Sequence, residues 1–207
     1  ADLMRYTVEL WAHGGGMFAG LARLSASGNP VITVLHGAST AGGAYQPGLS
    51  DYVIGVKGNG MAMLAGAALV QAATGEIAQD ADLGGAEMHA EVTGLVDYLA
   101  EDDAQALEIA RDVVAGLGWQ SCAADPVDYD APAYPGEDLA GAIPVDYRKP
   151  YDMRELAARI VDGSRLREFK PAYGAATLCL QAHIMGQAVG VLGNNGPIDP
   201  DGAAKAT

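Results

Sequence analysis

Basic charge is what this sequence has least of: 12 Lys and Arg stand against 26 Asp and Glu in 207 residues, a formal net charge of −14. Nucleic acid and an anionic membrane surface would both be repelled by such a chain, so neither is expected as a partner. A polyanionic ligand would have to be met by local basic side chains or by backbone N–H groups. Cysteine is nearly absent too. Cys122 and Cys179 lie far apart without C-x-x-C spacing, which excludes a zinc site readable from sequence and gives no disulfide framework. No metal is expected, and both cysteines read as buried free thiols. No apolar run approaches the about 20 residues of a spanning helix, and no charged-then-apolar leader opens the chain, so a soluble intracellular protein is expected. Charged residues make up only 18% and hydrophobic residues 50%, which is enough to bury a core and excludes a disordered chain.

At 207 residues there is room for one domain and part of a second. Both ends look cut: "DLMRYTVELW" is amphipathic without a preceding cap, and "DGAAKAT" reads as a helix just starting after Asp201. An internal fragment is expected. Between the ends runs an α/β rhythm. A helix is predicted around Met17 to Ser25, where Phe18, Leu21 and Leu24 fall at helical spacing, and "GNP" stops it before the apolar run Val31 to Leu35. A continuous run of this kind predicts a strand buried on both faces. "YVIGV" and "MAML" predict two more strands, and "AALVQAAT" a small-residue helix ending near Gly75. From Glu101 to Leu117 the residues Leu107, Ala110, Val114 and Leu117 recur at helical intervals behind the acids Glu101, Asp102 and Asp103, which the positive end of a helix favours.

Residues 118–147 change character. Pro126, Pro132, Pro135 and Pro144 alternate with Asp125, Asp128, Asp130, Glu137 and Asp138, predicting a solvated acidic linker rather than a metal site. The expected division is a first domain over 1–117, the linker over 118–147 and a truncated second domain over 148–207. Beyond the linker, Asp152 and Glu155 form a D-x-x-E capping box ahead of "LAARIVDG", with Gly163 as its stop. "ATLCLQAHI", the turn "MG" and "QAVGVLGNN" predict a β-hairpin.

The stretch "HGASTAGGAY" at 36–45, directly after an apolar strand, carries the chemistry. A phosphate loop would need G-x-x-x-x-G-K-[ST] and a dinucleotide loop G-x-G-x-x-G, and neither is present. Gly37, Ser39 and Ala41 match a G-x-S-x-A nucleophile elbow, with Asp51, Asp82, His89 and His183 as candidate triad partners. That serine-hydrolase reading leaves Gly42 and Gly43 unexplained. A third chemistry uses the backbone: if a helix begins at the glycine pair, the N–H groups of Gly42, Gly43 and Ala44 sit at its positive end and can stabilise an enolate oxyanion. Against it stands a packing reading, in which the two glycines only let the helix approach the strand.

Three segments, "TAGGAY" at 40–45, "AATGE" at 72–76 and "LGGAEMH" at 83–89, resemble in order and spacing the carboxyltransferase (β) subunit of biotin-dependent acyl-CoA carboxylases, of the propionyl-, 3-methylcrotonyl- and geranyl-CoA type. "YRKPYDMRELAARIVDGSRLREFK" and "VGVLGNNGPIDPDGAAKAT" resemble the linker and the opening of that family's second domain. The resemblance implies an α/β fold of crotonase-like (ClpP/crotonase) ββα spiral domains, most of a first and the start of a second. It implies an enzyme, a ligase forming carbon–carbon bonds: the carboxyl group of carboxybiotin passes to the α-carbon of an acyl-CoA, or the γ-carbon of an enoyl-CoA, through an enolate held by backbone N–H groups. No side-chain nucleophile is needed, and Ser39 becomes structural. Gly42 and Gly43 map to the catalytic oxyanion hole, Ala41, Ala44 and Tyr45 to its flanks, and Gly84 and Gly85 to the cleft lining, though a turn packing on the preceding helix explains the last two equally well.

The family also implies biotin carried on a partner, an α subunit with biotin carboxylase and biotin carrier functions, since this chain has no biotin-acceptor "MKM". It implies a hexameric ring of β subunits, in the cytoplasm or, in a eukaryote, the mitochondrial matrix. The biotin half of the site is expected beyond residue 207. The four-cysteine zinc element of the bacterial acetyl-CoA type is absent, and "STAGGAY" with "LAGAALVQAATGE" looks closer to the 3-methylcrotonyl type, although the "AA" at 67–68 leaves room for a different acyl chain. Beside these, His89 is either a polar wall of the cleft or an ordinary hydrogen-bonded histidine. Tyr45 flanks the acyl chain or packs, and Met61, Met63 and Met88 fill core gaps. Arg23 and Lys57 are candidates for the CoA phosphates. An assembly module without catalysis is the remaining alternative.

Overall fold

The computed structural model describes residues 8–117, 128–146 and 149–207. The chain divides into two compact units, Ala1–Ala110 and Arg111–Thr207.

The first unit opens with α1 (Val8–Ala26) and then repeats one motif. β1 (Ile32–Leu35) is followed by β2 (Ala38–Thr40), a 3₁₀ turn (Ala41–Ala44) and α2 (Tyr45–Gly48); β3 (Tyr52–Val56) is followed by β4 (Met61–Met63) and α3 (Ala67–Thr74). The first strands of each repeat pair in parallel in the order β1-β3-β5, with β5 at Tyr98–Ala100, while the second strands β2 and β4 pair in parallel in a separate sheet. Parallel neighbours need a crossover, and each repeat supplies it by stepping through the second sheet and a helix. This is the two-strands-and-a-helix spiral that the sequence resemblance implies. Between α3 and β5 lie α4 (Asp80–Gly84), α5 (Ala86–Met88) and a π turn (His89–Thr93).

β3 is the central strand and carries the core: Val53, Ile54 and Val56 are buried, and Leu35, Val53, Ala62, Ala90 and Val96 form one apolar cluster. The apolar run at 31–35 therefore departs from its expected two-sided burial. β1 flanks β3 on one side only among the described strands, and of its four residues only Leu35 is buried. Met63 is buried and Met61 half-buried in β4, as core fillers should be.

α6 (Asp103–Gly116) runs through the boundary between the units. Asp102 Oδ1 accepts from Gln105 N at 2.8 Å and Gln105 Oε1 accepts from Glu101 N at 2.6 Å, a reciprocal cap that explains why the helix starts there. Its buried positions are Ala106 and Val113; of the expected apolar face Leu107 and Val114 are exposed, while Ala110 and Leu117 are half-buried.

The second unit contains a short helix α7 (Leu139–Ala142), α8 (Met153–Ala157), the antiparallel sheet β6 (Arg167–Phe169), β7 (Thr177–Ile184) and β8 (Gln187–Asn194), and α9 (Pro200–Ala206). The expected hairpin is present. Met185 and Gly186 both take positive φ, 52° and 76°, which matches the right-handed twist of the flanking strands in a two-residue turn. Asp162, buried beneath, accepts from both of their N–H groups at 2.9 and 2.7 Å. The chain before α7 is tied to this unit at two points: Gly163 N donates to Asp130 O at 3.0 Å, and Ala133 N to Ser164 Oγ at 2.8 Å. Asp199 caps α9 through Gly202 N at 2.6 Å, starting it slightly earlier than the sequence suggested. Cys179 is a half-buried thiol whose pKa burial raises; Cys122 lies outside the described residues.

Asp152 caps α8 as expected, but Glu155 does not reach back and instead pairs with Arg159 at 2.8 Å. Asp152 Oδ1 accepts from the Arg154 backbone N–H at 2.9 Å and from Asn195 Nδ2 at 3.0 Å; with the Arg154 guanidinium these donors hold the Asp152 carboxyl below its ordinary range. A carboxyl depressed on folding stabilises the fold fully above its unfolded pKa, and that contribution is lost as pH falls through the folded value. The stability advantage of the wild type over Asp152→Ala, measured by urea unfolding, is therefore expected at pH 7 and should disappear well below about pH 4.

Among the described residues no helix is long and apolar enough to cross a membrane, and no group of three or more His, Cys, Asp or Glu is placed to hold a metal ion.

Candidate active site

β2 ends at Thr40 and the chain turns at once. Ala41 takes φ = 50°, a left-handed conformation that a non-glycine residue seldom occupies and that costs on the order of 1 kcal/mol or more. The 3₁₀ turn Ala41–Ala44 follows, with Gly42 and Gly43 at its centre. A left-handed residue leading into such a turn swings successive N–H groups toward one side, the concave arrangement that receives negative charge.

The structure corrects one expectation here. No long helix starts at the glycine pair: α2 is the single turn Tyr45–Gly48, because Asp51 N already donates to Val31 O at 2.8 Å and the chain must re-enter the sheet. Any anion held at this turn would therefore have only the small dipole of one turn behind it.

The two glycine pairs differ in their surroundings. At Gly42 nothing stands within 4 Å of where a Cβ would lie, and the residue is exposed, so close packing does not account for it. At Gly43 a Cβ would lie 3.1 Å from Ser39 Oγ. Gly84 and Gly85 are buried and crowded: a Cβ on Gly84 would collide with the Ala62 carbonyl oxygen and stand 2.7 Å from Met63 Cβ, and one on Gly85 would stand 2.6 Å from Ala81 O. The N–H groups of Gly85 and Ala86 are already bonded to Ala81 O and Gly60 O at 2.8 and 2.9 Å. Packing thus explains the second pair and bears on Gly43, but gives no reason for the glycine at 42. Both segments flank β4.

The base on which the turn sits is firm. Ala44 packs on the Leu35–Val53–Ala62 cluster. Tyr45, 56% exposed, meets the Phe18 ring of α1 edge-on, with centroids 5.2 Å apart. Sequence spacing alone did not reveal that pairing, since Phe18 and Tyr45 belong to different elements with no shared periodicity.

Among the described residues of the first unit no catalytic triad assembles around Ser39. His89 Nε2 bonds Ala62 O at 2.7 Å and Nδ1 bonds Thr93 Oγ1 at 2.7 Å, so both ring nitrogens are engaged. Because a carbonyl only accepts, Nε2 carries the proton, and His89 serves to tie the π turn to β4. Asp51 accepts from Ser25 Oγ and Val31 N at 2.6 and 2.7 Å, and Asp82 lies in α4. His183, the remaining candidate, lies in β7. Of the candidate phosphate contacts, Lys57 is ion-paired with Glu101, and Arg23 occupies the last turn of α1.

Against known proteins, the carboxyl transferase domain model matches residues 2–207. A probable biotin-dependent acyl-coenzyme A carboxylase β2 subunit of Mycobacterium tuberculosis is 46% identical over 200 residues, covering 96% of this chain and 38% of that protein. The crystal structure of the geranyl-CoA carboxylase β subunit of P. aeruginosa is 50% identical, with a TM-score of 0.52, over 100% of this chain and 38% of its own. The transcarboxylase 12S crystal structure, a hexamer with hydrolysed methylmalonyl-coenzyme A bound, aligns with a TM-score of 0.85 at 28% identity, over 99% of this chain and 41% of its own. The chain thus spans about two fifths of the length of the relatives it matches. It belongs to the carboxyl transferase domain family and has the crotonase-like α/β fold of that family's carboxyltransferases.

Proposed function

We propose that this chain holds the acyl-CoA side of the active site of a biotin-dependent acyl-CoA carboxylase, with Gly42 and Gly43 donating N–H groups to the thioester oxygen as the adjacent carbon becomes an enolate. The observation that carries this reading is the turn itself: a strained Ala41 feeding two glycines, of which Gly42 faces open space and has no packing partner to justify it. Two convergent N–H donors in a preorganised site lower the barrier because they need not reorient as charge develops. Ala41 aims the donors, Ala44 anchors the turn to the core, and Gly84 and Gly85 bring α4 close to β4 and so shape the floor beside it. When bound, biotin carried by a partner supplies the carboxyl group.

The relatives supply the wider setting. We assign the two units to parts of the family's two carboxyltransferase domains, with an acyl-CoA thioester as substrate. The partners are an α subunit bearing biotin carboxylase and biotin carrier functions and further β subunits in a hexamer, acting in the cytoplasm. Support comes from the carboxylase β subunits and the hexameric 12S core that the chain resembles.

This reading gives Ser39 no chemical part. Ser39→Ala in the assembled enzyme should retain carboxylation within about twofold, since a polar-to-alanine change at a half-buried position costs little unless a partner is orphaned. Steady-state kinetics on acyl-CoA would check it. A folded Ser39→Ala protein without activity would favour a hydrolase instead.

A further inference from the structure

The Ala41–Ala44 turn hangs on very little sheet. β2 and β4 form a parallel ladder of three residue pairs, Ala38 to Met61, Ser39 to Ala62 and Thr40 to Met63, and a two-stranded ribbon so short has little rigidity of its own. The turn leaves β2 at Thr40 and also packs against β4, so the N–H groups of the glycines go where β4 goes. What fixes β4 therefore matters. Met61 N donates to Gly37 O at 3.1 Å, and the alternation along a strand then turns the peptide groups of Ala62 away from β2. Ala62 is buried, so its carbonyl oxygen needs a donor from elsewhere.

His89 supplies that donor. Its Nε2–H donates to Ala62 O at 2.7 Å, and Thr93 Oγ1, 2.7 Å from Nδ1, donates to the other ring nitrogen and so keeps the proton on Nε2. On the same edge of β4 Gly85 bridges to Met61, so backbone holds the start of the strand and an imidazole the part that adjoins the turn. We propose that His89 is a positioning residue for carboxyl transfer: through Ala62 and the β2–β4 ladder it fixes where the N–H groups of Gly42 and Gly43 point. The inference rests on the reading of that turn as the thioester hole. His89 touches no reacting atom and exchanges no proton in the reaction. Misplacing the reacting groups by about 1 Å costs up to about a hundredfold in rate. The donors matter most as charge develops, so kcat and not KM carries the loss.

The test compares His89→Gln with His89→Met in the assembled carboxylase, two side chains of nearly equal shape of which only glutamine carries a donor. For each, kcat and KM on an acyl-CoA thioester, the melting temperature and the assembly size by light scattering are measured. At a temperature where both are folded, His89→Met should lose at least about tenfold in kcat with KM within about threefold of wild type, and His89→Gln should recover most of that loss. Combined with Gly42→Ala, the losses should be less than multiplicative, because both act on one donor. A folded His89→Met enzyme with the wild-type kcat overturns the proposal, as do losses that multiply fully. His89→Phe, which keeps a ring and lacks the donor, is read in the same way where His89→Met does not assemble. If neither assembles while His89→Gln does, the bond holds the fold itself and the proposal fails. A fully active Gly42→Val enzyme would instead remove the reading of the turn, and this inference with it.

Discussion

Gly42→Val in the assembled enzyme is expected to lower kcat for carboxylation by at least about a hundredfold while the protein remains folded. The expectation combines two features of one residue. Its N–H is proposed as a donor to the thioester oxygen, and losses at a single donor of an oxyanion hole typically reach 10²- to 10³-fold in kcat. Its Cα faces open space, with nothing within 4 Å of an added Cβ, so a side chain there obstructs what approaches from solvent and not what lies beneath. Thermal unfolding should accordingly change little, within about 0.5 kcal/mol, as for a surface substitution. Gly42→Ala should fall between wild type and valine in activity. Valine-level loss of activity together with loss of folding would mean that the glycine is structural.

Gly84→Ala should show the reverse pattern, with stability rather than chemistry as the first casualty. The added methyl would be driven into the Ala62 carbonyl oxygen and to 2.7 Å from Met63 Cβ. Ala62 cannot retreat, since it lies in β4, is buried, is paired with Ser39 in β2 and accepts from His89 Nε2 at 2.7 Å. Overpacking against flexible side chains costs about 1–3 kcal/mol, and a collision with paired backbone belongs at or above the upper end of that range. A destabilisation of about 3 kcal/mol by urea unfolding is expected. A variant as stable as wild type would show that α4 can move away from β4, and the packing account of "LGGAEMH" would then fail.

The contrast between these glycines was not legible in the sequence, which showed two Gly-Gly pairs and the same two alternatives for each. What separates them is the environment around each Cα, supplied by residues distant in the chain: Ala62 and Met63 over Gly84, nothing over Gly42. Local chemistry was more transparent. The "MG" turn announced the β7–β8 hairpin because φ is positive at both positions, and Asp152 announced the start of α8 because a carboxylate can meet a free helical N–H. Strand order was hidden: the apolar run at 31–35 reads as doubly buried, yet β1 neighbours only β3 among the described strands. β2 was missed for a related reason. "AST" has no strand pattern of its own and becomes a strand by pairing with β4. The family motifs carry these non-local pairings as fixed spacing, whereas Phe18 meets Tyr45 through tertiary packing that no local spacing encodes.

Titration calorimetry of the full assembled protein with acyl-CoA thioesters, repeated with Gly42→Val, tests the central claim most directly. The account predicts saturable binding of a thioester by the wild type and its loss in a variant that melts at the same temperature. Equal binding by both proteins, or none by a folded and assembled wild type, would contradict the placement of the thioester on the Gly42–Gly43 turn.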